Sequence, residues 1–463
     1  MATAPGSVPD AAGVTAGVTV TINAGKQYQR IDGFGVSEGF GQAKVLMSAP
    51  ASIQKQVLSL LYSPTRGAGL TILRNEISAD AGFTIEPKAP RSPTAKPSYL
   101  SLAAIDQDQG QLWFAKQINA DYGVSNVFAD AWSAPAFMKT NDSAIHGGTL
   151  CGGPGASCKT GDWRQAYANY LVQYAKDYAA AGVPLAYVGP ENEPTIAPPQ
   201  DSMIMSATQT ANVMAILGAT LARSGLSTRA ECCASISWKY AQQYAAAIEA
   251  SKAADAATAL FTSHGYLVAL NSPLRGWSKP VWETEWAPFG LQPWDPAWDD
   301  GSQSSGFTWA QNIYTGLTKA ELGAFLYLWG ANTSTTTVTG PNTGLVDVKG
   351  HTVATSGRLW AFASYSRFIR PGAVRIGTTT TGSGLEVSAF RNRDASIVVV
   401  VLNSARSRQA ATFSLHGLDG AHVTPYLTDT THDLSAQTPI TVRNGAFTAS
   451  VPPRSLISYD IRS

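Results

Sequence analysis

From about residue 29 to residue 369, short apolar runs alternate with helical patterns, and this rhythm restricts the chain to very few folds. The runs are Gln29–Glu38, Leu70–Glu76, Asn126–Trp132, Leu185–Glu193, Cys232–Trp238, Leu260–Tyr266, Pro280–Trp286 and Ala324–Trp329. Between most of them lie amphipathic stretches: Ile53–Tyr62, Gln111–Tyr122, Asp162–Ala181, Ala207–Ser224, Ala241–Ser251, Trp309–Ala320 and Thr355–Phe368. Eight short apolar strands alternating with helices predict an α/β fold, a parallel (β/α)8 TIM barrel. Tyr167, Tyr170, Leu171, Tyr174 and Tyr178 recur at helical spacing and are read as core.

After about residue 370 the rhythm changes. Short strand-like runs with polar turns follow one another without a helix: 374–377, 385–390, 396–402, 411–415, 423–427, 440–442 and 456–461. That pattern predicts an antiparallel β-sandwich. Val18–Ile22 alternates like a strand with one buried face and is expected to join this sheet, since chain ends often lie close together. A 463-residue chain is too long for one ordinary core. The expected division is a flexible segment at 1–17, first sandwich strands at 18–30, the barrel at 31–369 and the side domain at 370–463.

Composition removes several classes of function. A net charge of +1 offers no field for a polyanion, so no nucleic-acid partner is expected. No run of 18 apolar residues exists, so no membrane span is expected. Cys151 and Cys158 flank a glycine-rich turn suited to a small disulfide, which favours a secreted, extracellular protein. Adjacent Cys232 and Cys233 are expected to be buried free thiols, with a vicinal bond as the alternative. Asn141-Asp142-Ser143 and Asn332-Thr333-Ser334 fit the N-glycosylation pattern.

Active groups in such barrels sit at the C-terminal tips of the strands. The fourth run ends in Asn192-Glu193-Pro194, and a proline cannot continue the ladder, so the strand is expected to stop near Glu193. The seventh run ends in Trp282-Glu283-Thr284-Glu285. Two carboxyl groups facing each other are what hydrolysis of a glycosidic bond with retention needs. Glu193 suits the acid/base, with a raised pKa, and Glu285 the nucleophile, kept ionised by Arg74. Asn192 and His264 suit sugar hydroxyls, Tyr266 the second nucleophile oxygen, and Trp132 and Trp329 the floor of the sugar site. Glu191 and Glu283 compete for the carboxylate roles but are expected deeper, as structural partners. No HExxH or CxxC pair occurs, so neither a catalytic metal nor another cofactor is expected. Gly33-Phe34-Gly35 lacks the third glycine of a dinucleotide loop, and no Gly-x-Ser-x-Gly elbow appears.

With these residues in view, the chain resembles glycoside hydrolase family 30 from about residue 18 onward. The resemblance rests on Ile31-Asp32-Gly33-Phe34-Gly35, Leu73-Arg74, Trp132 to Lys139, Asn192-Glu193-Pro194, His264-Gly265-Tyr266 and Trp282 to Glu285. It implies acid/base Glu193, nucleophile Glu285 and a β-domain built from both chain ends. Overall the chain looks most like the mainly fungal xylanase branch, subfamily 7. That implies action on xylan or glucuronoxylan; a monomer is expected, and the long 78–109 loop, if it walls off the glycone side, converts endo action into xylobiose release from chain ends. Gln42 stands where an Arg for a glucuronic acid branch is expected; Lys44, Lys139 and Arg275 are the other candidates. A same-family enzyme for β-1,6-glucan or β-1,6-galactan and a catalytically silent carbohydrate-binding protein are the competing readings.

Overall fold

A computed structural model describes residues 17–268, 270–288, 290, 292–333, 343–382, 384–417 and 422–462. The expectations for 1–16, and for the Ser334 end of the second glycosylation triplet, lie outside the described residues. Strand β1 (Val18–Arg30) is followed by β2 (Gly33–Ser37), β3 (Ile72–Ile77), β4 (Asn126–Ala131), β5 (Tyr187–Gly189), β6 (Arg229–Ser235), β7 (Thr258–His264), β8 (Val281–Glu285) and β9 (Ala324–Asn332). Strands β2 to β9 pair in parallel in chain order, and β9 pairs with both β8 and β2, which closes an eight-stranded barrel. Helices near the expected positions connect them, among them Ala51–Tyr62, Gln111–Tyr122, Arg164–Ala180 and Ala207–Ala222. Hydrophobic runs without alternation are what a parallel strand covered on both faces requires, and β2 and β3 are buried along their whole length.

Three boundaries depart from the sequence reading. Strand β5 has only three residues, because Pro190, not Pro194, is the first residue without an N–H for the ladder. Asn192 and Glu193 therefore stand on a loop. Strand β9 runs on to Asn332 and is flanked by β10 (Gly344–Lys349), which pairs with it in parallel and in turn pairs antiparallel with β11 (Thr352–Thr355). No repeat announced that pair. Helix Gln42–Ser48 was also not expected; it begins after Gly41 in a left-handed conformation.

Inside the barrel, Ile72, Phe128, Tyr187, Leu260, Trp282, Ala324 and Leu326 form one apolar layer. Trp282 is fully buried, with its ring edge-on to Phe128 at 5.7 Å and Tyr187 at 5.4 Å. Side chains two residues further along a strand share its inward face. Above Ile72 comes Arg74, above Phe128 comes Asp130, and above Leu260 come Thr262 and His264. An apolar plug thus carries a buried polar layer towards the C-terminal end of the strands.

The chain divides into two compact units, Gln29–Ala373 and a second made of residues up to Tyr28 with Val374 onward. The second holds β12 (Val374–Thr381), β13 (Leu385–Arg391), β14 (Ile397–Asn403), β15 (Gln409–His416), β16 (His422–Thr428), β17 (Ser435–Ala436), β18 (Ile440–Thr441), β19 (Ala446–Val451) and β20 (Ser455–Arg462). These strands pair antiparallel, with one exception: β1 lies between β12 and β15 and runs parallel to β15. It arrives from the N-terminal end and not through a hairpin, so nothing obliges it to run antiparallel. Strand β19 escaped notice because Ala446, Ala449 and Ser450 dilute its alternation. Phe413 and Phe447 stack at 4.7 Å in the core of this unit.

Cys151 and Cys158 form a disulfide with Cα atoms 5.5 Å apart. Cys232 and Cys233 are bonded to each other, so the free thiols expected there are absent, and none remains among the described residues. Both are fully buried, out of reach of solvent thiols. Asn332 is buried, with its amide donating to Asp347 Oδ1 at 2.6 Å, so it is no surface acceptor for a glycan.

Replacing Trp282 by Ala empties the centre of the apolar plug and strips Asp32 Oδ2 of an indole donor at 3.0 Å. The expected loss is about 3–5 kcal/mol of stability, read from denaturant unfolding followed by far-UV circular dichroism.

Candidate active site

Arg74 is fully buried in the middle of β3, and three groups surround its guanidinium. Nε donates to Asp130 Oδ2 at 2.6 Å, Nη2 donates to Asn192 Oδ1 at 2.6 Å, and Nη1 donates to Glu285 Oε2. Its planar face lies 4.4 Å from the centre of the Trp132 ring. A guanidinium has fixed donors and no acceptor, so it orients whatever it touches. Asn192 must turn its carbonyl oxygen to Arg74, which leaves its –NH2 to donate elsewhere.

Glu285 ends β8, and a register shift against β7 places it there: Ser263 pairs with Glu283, but His264 pairs with Glu285. Thr284 is thus the extra residue of a bulge, a device that re-aims a side chain beside an active site. Simple alternation therefore does not relate Glu283 to Glu285. The Glu285 carboxylate accepts from Arg74 on Oε2 and from the Tyr266 hydroxyl on Oε1 at 3.1 Å. Glu283 spends both oxygens on backbone N–H groups, of Glu285 at 2.9 Å and Leu326 at 3.3 Å. Glu191 is equally buried and accepts from Thr210 Oγ1 at 2.6 Å.

Glu193 adopts a left-handed backbone with φ 47°. Its N–H donates to the carbonyl of Ala234, itself at φ 43°, at 2.9 Å. Non-glycine residues hold such angles only where the surroundings over-determine them. The Glu193 side chain meets His264 Nδ1 at 2.8 Å. Across the ring, His264 Nε2 is 3.5 Å from Arg74 Nη2. Both nitrogens of this fully buried ring thus face protein groups, not open cleft. The sugar hydroxyl expected for His264 is replaced by a contact to Glu193.

One carboxylate oxygen of Glu193, one of Glu285 and one His264 ring nitrogen lie within 4.8 Å of one another. Such a donor set can bridge a divalent cation, but the charge of Arg74 already occupies the Glu285 side. Burial, and then the Glu285 charge, push the Glu193 carboxyl well above the usual carboxylate range, with Arg74 opposing. Burial also raises Glu285, but the charge and hydrogen bonds of Arg74 and the Tyr266 hydroxyl oppose the rise. His264 is pushed well below its ordinary value by burial and then by Arg74, so the ring is neutral. Both shifts run upward, but only Glu285 has the Arg74 guanidinium directly on its carboxylate to oppose the rise.

These side chains open onto a cleft lined by Phe40, Trp132, Asn192, Glu193, Glu285 and Trp329, with Ile196 to Ser202 on one side. Trp132 and Trp329 are largely covered, and Phe40 lies edge-on to both, 5.3 Å and 6.0 Å away between centres. The structure thus gathers Arg74, Trp132, Asn192, Glu193, His264, Tyr266, Glu285 and Trp329 around one place, with Arg74 and His264 beneath the open surface. Sequence reasoning missed Phe40 and Asp130. Phe40 sits three residues past β2, between Gly39 and Gly41, and Asp130 stands two before Trp132 on the same strand face. The 78–109 loop reaches the cleft through Asp201, whose Oδ2 accepts from Ser78 Oγ, Ala79 N and Asp80 N at 2.8 to 3.1 Å. Tyr167 steadies the other wall by donating to the Pro190 carbonyl at 2.7 Å.

Gln42 and two of the three cations considered for an acidic branch are already engaged. Gln42 Oε1 accepts from the N–H and the hydroxyl of Thr333. Lys44 pairs with Asp106 at 2.5 Å. Lys139 is buried, donates to Ser133 Oγ and the Ser202 and Ala144 carbonyls, and is pushed down to about 8 by burial. Arg275 is exposed.

Residues 17–269 match the family described as O-Glycosyl hydrolase family 30, and residues 372–459 match its Glycosyl hydrolase family 30 beta sandwich domain. The solved catalytic domain of GH30 xylanase C from Talaromyces cellulolyticus is 45% identical, covers 96% of this chain and 100% of that one, and superposes with a TM-score of 0.90. An endo-1,6-beta-D-glucanase from Neurospora crassa is 23% identical over 84% of this chain and 81% of its own. The lysosomal acid glucosylceramidase of Mus musculus is 27% identical over 39% of this chain, a match spanning about a third (34%) of that protein's length. The closed barrel, the companion β-sandwich and these matches agree: the chain belongs to glycoside hydrolase family 30.

Proposed function

We propose that this protein hydrolyses β-1,4-xylan with retention of configuration, with Glu193 as acid/base and Glu285 as nucleophile. The observation that carries the reading is the spacing of the two carboxyls, oxygens within 4.8 Å of each other. Retaining enzymes hold the pair about 5–5.5 Å apart, while inverting ones leave about 6.5–9.5 Å for a water. In the first step Glu193 gives its proton to the departing glycosidic oxygen as Glu285 attacks the anomeric carbon. In the second, ionised Glu193 takes a proton from water, which displaces Glu285 from the sugar. Arg74 and Tyr266 each hold one oxygen of Glu285, and His264 holds Glu193. The free amide hydrogens of Asn192 are placed to donate to a sugar hydroxyl, a bond that strengthens as charge develops on the ring.

Xylan is favoured by the 45% identity to a xylanase over nearly the whole chain. Two disulfides support an oxidising, extracellular setting. The burial of Lys139 and the pairing of Lys44 speak against strict dependence on a glucuronic acid branch. The second reading, an endo-β-1,6-glucanase, draws on the Neurospora relative at 23% identity. A panel of xylan, glucuronoxylan, β-1,6-glucan and β-1,6-galactan with product analysis separates the two. Turnover of xylan with xylobiose dominant is expected, and turnover of β-1,6-glucan alone would reverse the assignment.

Glu285→Gln is expected to lose at least about a thousandfold in kcat on xylan while still binding it. Loss of turnover with binding kept also excludes a silent binding protein. Glu193→Gln is expected to lose as much on xylan but far less on an aryl glycoside, whose leaving group departs without a proton. The pH profile follows from the same two groups. Activity falls towards acid as Glu285 takes up a proton, and towards base as Glu193 loses one. Since both are raised, Glu193 the more, the whole bell lies above that of two ordinary carboxyls. The basic limb on the aryl substrate should vanish in Glu193→Gln.

A further inference from the structure

Beneath the cleft, Asp130 on β4 and Glu231 on β6 are both fully buried. Strand β5 lies between their strands, and its Gly189 pairs with Asp130. A Cβ there would overlap Glu231 Oε1 and meet Asp130 Oδ1 at 2.8 Å, so both oxygens fill the space glycine leaves open. Two buried carboxylate oxygens crowding one point repel each other unless a proton lies between them, so one of the pair is the acid. The remaining contacts decide which. Asp130 Oδ2 accepts from Arg74 Nε at 2.6 Å, so the positive charge lies against Asp130. Glu231 Oε2 accepts the Thr262 hydroxyl at 2.5 Å, while Thr262 Oγ1 itself accepts from Ala234 N at 2.8 Å. Asp130 Oδ1 and Glu231 Oε1 receive no N–H or O–H from any other described group. An ionised Glu231 would be a third buried anion around one guanidinium already shared by Asp130 and Glu285, an arrangement with too little counter-charge to offset its desolvation.

We propose that Glu231 is a positioning residue, a neutral carboxylic acid that donates from Oε1 to Asp130 Oδ1 and so holds Asp130 against Arg74, and Arg74 against Glu285. Burial, with Asp130 second, pushes Glu231 well above the usual range, in the same direction. Glu231 touches neither the cleft nor the substrate; its effect reaches the reaction through Arg74. The inference rests on Glu285 being the nucleophile.

The test compares Glu231→Leu and Glu231→Gln in the full chain, reading kcat/KM on xylan against pH, with melting followed by circular dichroism. Glu231→Leu leaves Asp130 Oδ1 without a donor and is expected to lose roughly tenfold or more in kcat/KM. Glu231→Gln keeps an N–H for Asp130 and a carbonyl for Thr262, and is expected to rescue activity to within about threefold, with the acid limb in place. An ionised Glu231 predicts otherwise: neutralising it takes an anion from beside Arg74, and the acid limb moves to lower pH by about half a unit or more. That shift overturns the proposal. So does an equal loss in both variants, which would assign Glu231 to packing alone. If Glu231→Leu fails to fold, the Glu231→Gln profile decides by itself. Glu285→Gln in the same series keeps the two readings apart, because turnover by that variant sinks the nucleophile assignment whatever Glu231 does.

Discussion

One buried guanidinium holds this site together. Arg74 has no access to water, so its charge must be balanced from within. Asp130 and Glu285 do so from two directions, and Asn192, His264 and the Trp132 face complete its surrounding shell. The carboxyls beyond that shell, Glu193, Glu231 and Glu283, have no cation of their own, and burial raises each of them. A single positive charge thus separates the acids that touch a cation from those that do not. Two chemically identical glutamic acids meet different surroundings: Glu285 touches Arg74, and Glu193 touches neutral His264.

The barrel makes this arrangement affordable by leaving its regular pattern only where the site needs it. The lower layer of Ile72, Phe128, Leu260 and Trp282 obeys alternation. Above it, the bulge at Thr284 brings Glu285 level with His264. The loop after Pro190 holds Glu193 at φ 47°, tied to Ala234 by a backbone hydrogen bond. Such local strain is tolerable when a packed scaffold over-determines it. Here the scaffold includes a row of buried tyrosines on Arg164–Ala180 whose hydroxyls reach Pro190, Ser78 and Asp108. A stripe that reads as plain core also clamps the loops that carry the site.

Much of this was legible beforehand, for identifiable reasons. Apolar runs of strand length between amphipathic stretches betray buried parallel strands, because both faces of such strands must be covered. Tip residues betray the site, because a parallel barrel presents its strand ends together on one rim. Phe40 and Asp130 escaped because each departs from the tip rule, Phe40 lying past its strand and Asp130 just inside its end. Strand β19 escaped because its small residues blur alternation. Proline at 194 was the more conspicuous stop signal, but the ladder had already ended at Pro190.

By itself, the order of residues determined the fold class and the identity of the chemical groups, since burial patterns and strand ends are local properties of the chain. What each group does was decided only by the folded molecule. Proton states, the contact of His264 with Glu193, the neutrality argued for Glu231 and the burial of Lys139 depend on distances between residues far apart in the chain. Electrostatic energy in a dry interior follows those distances and the exclusion of water, and neither exists until the barrel has closed.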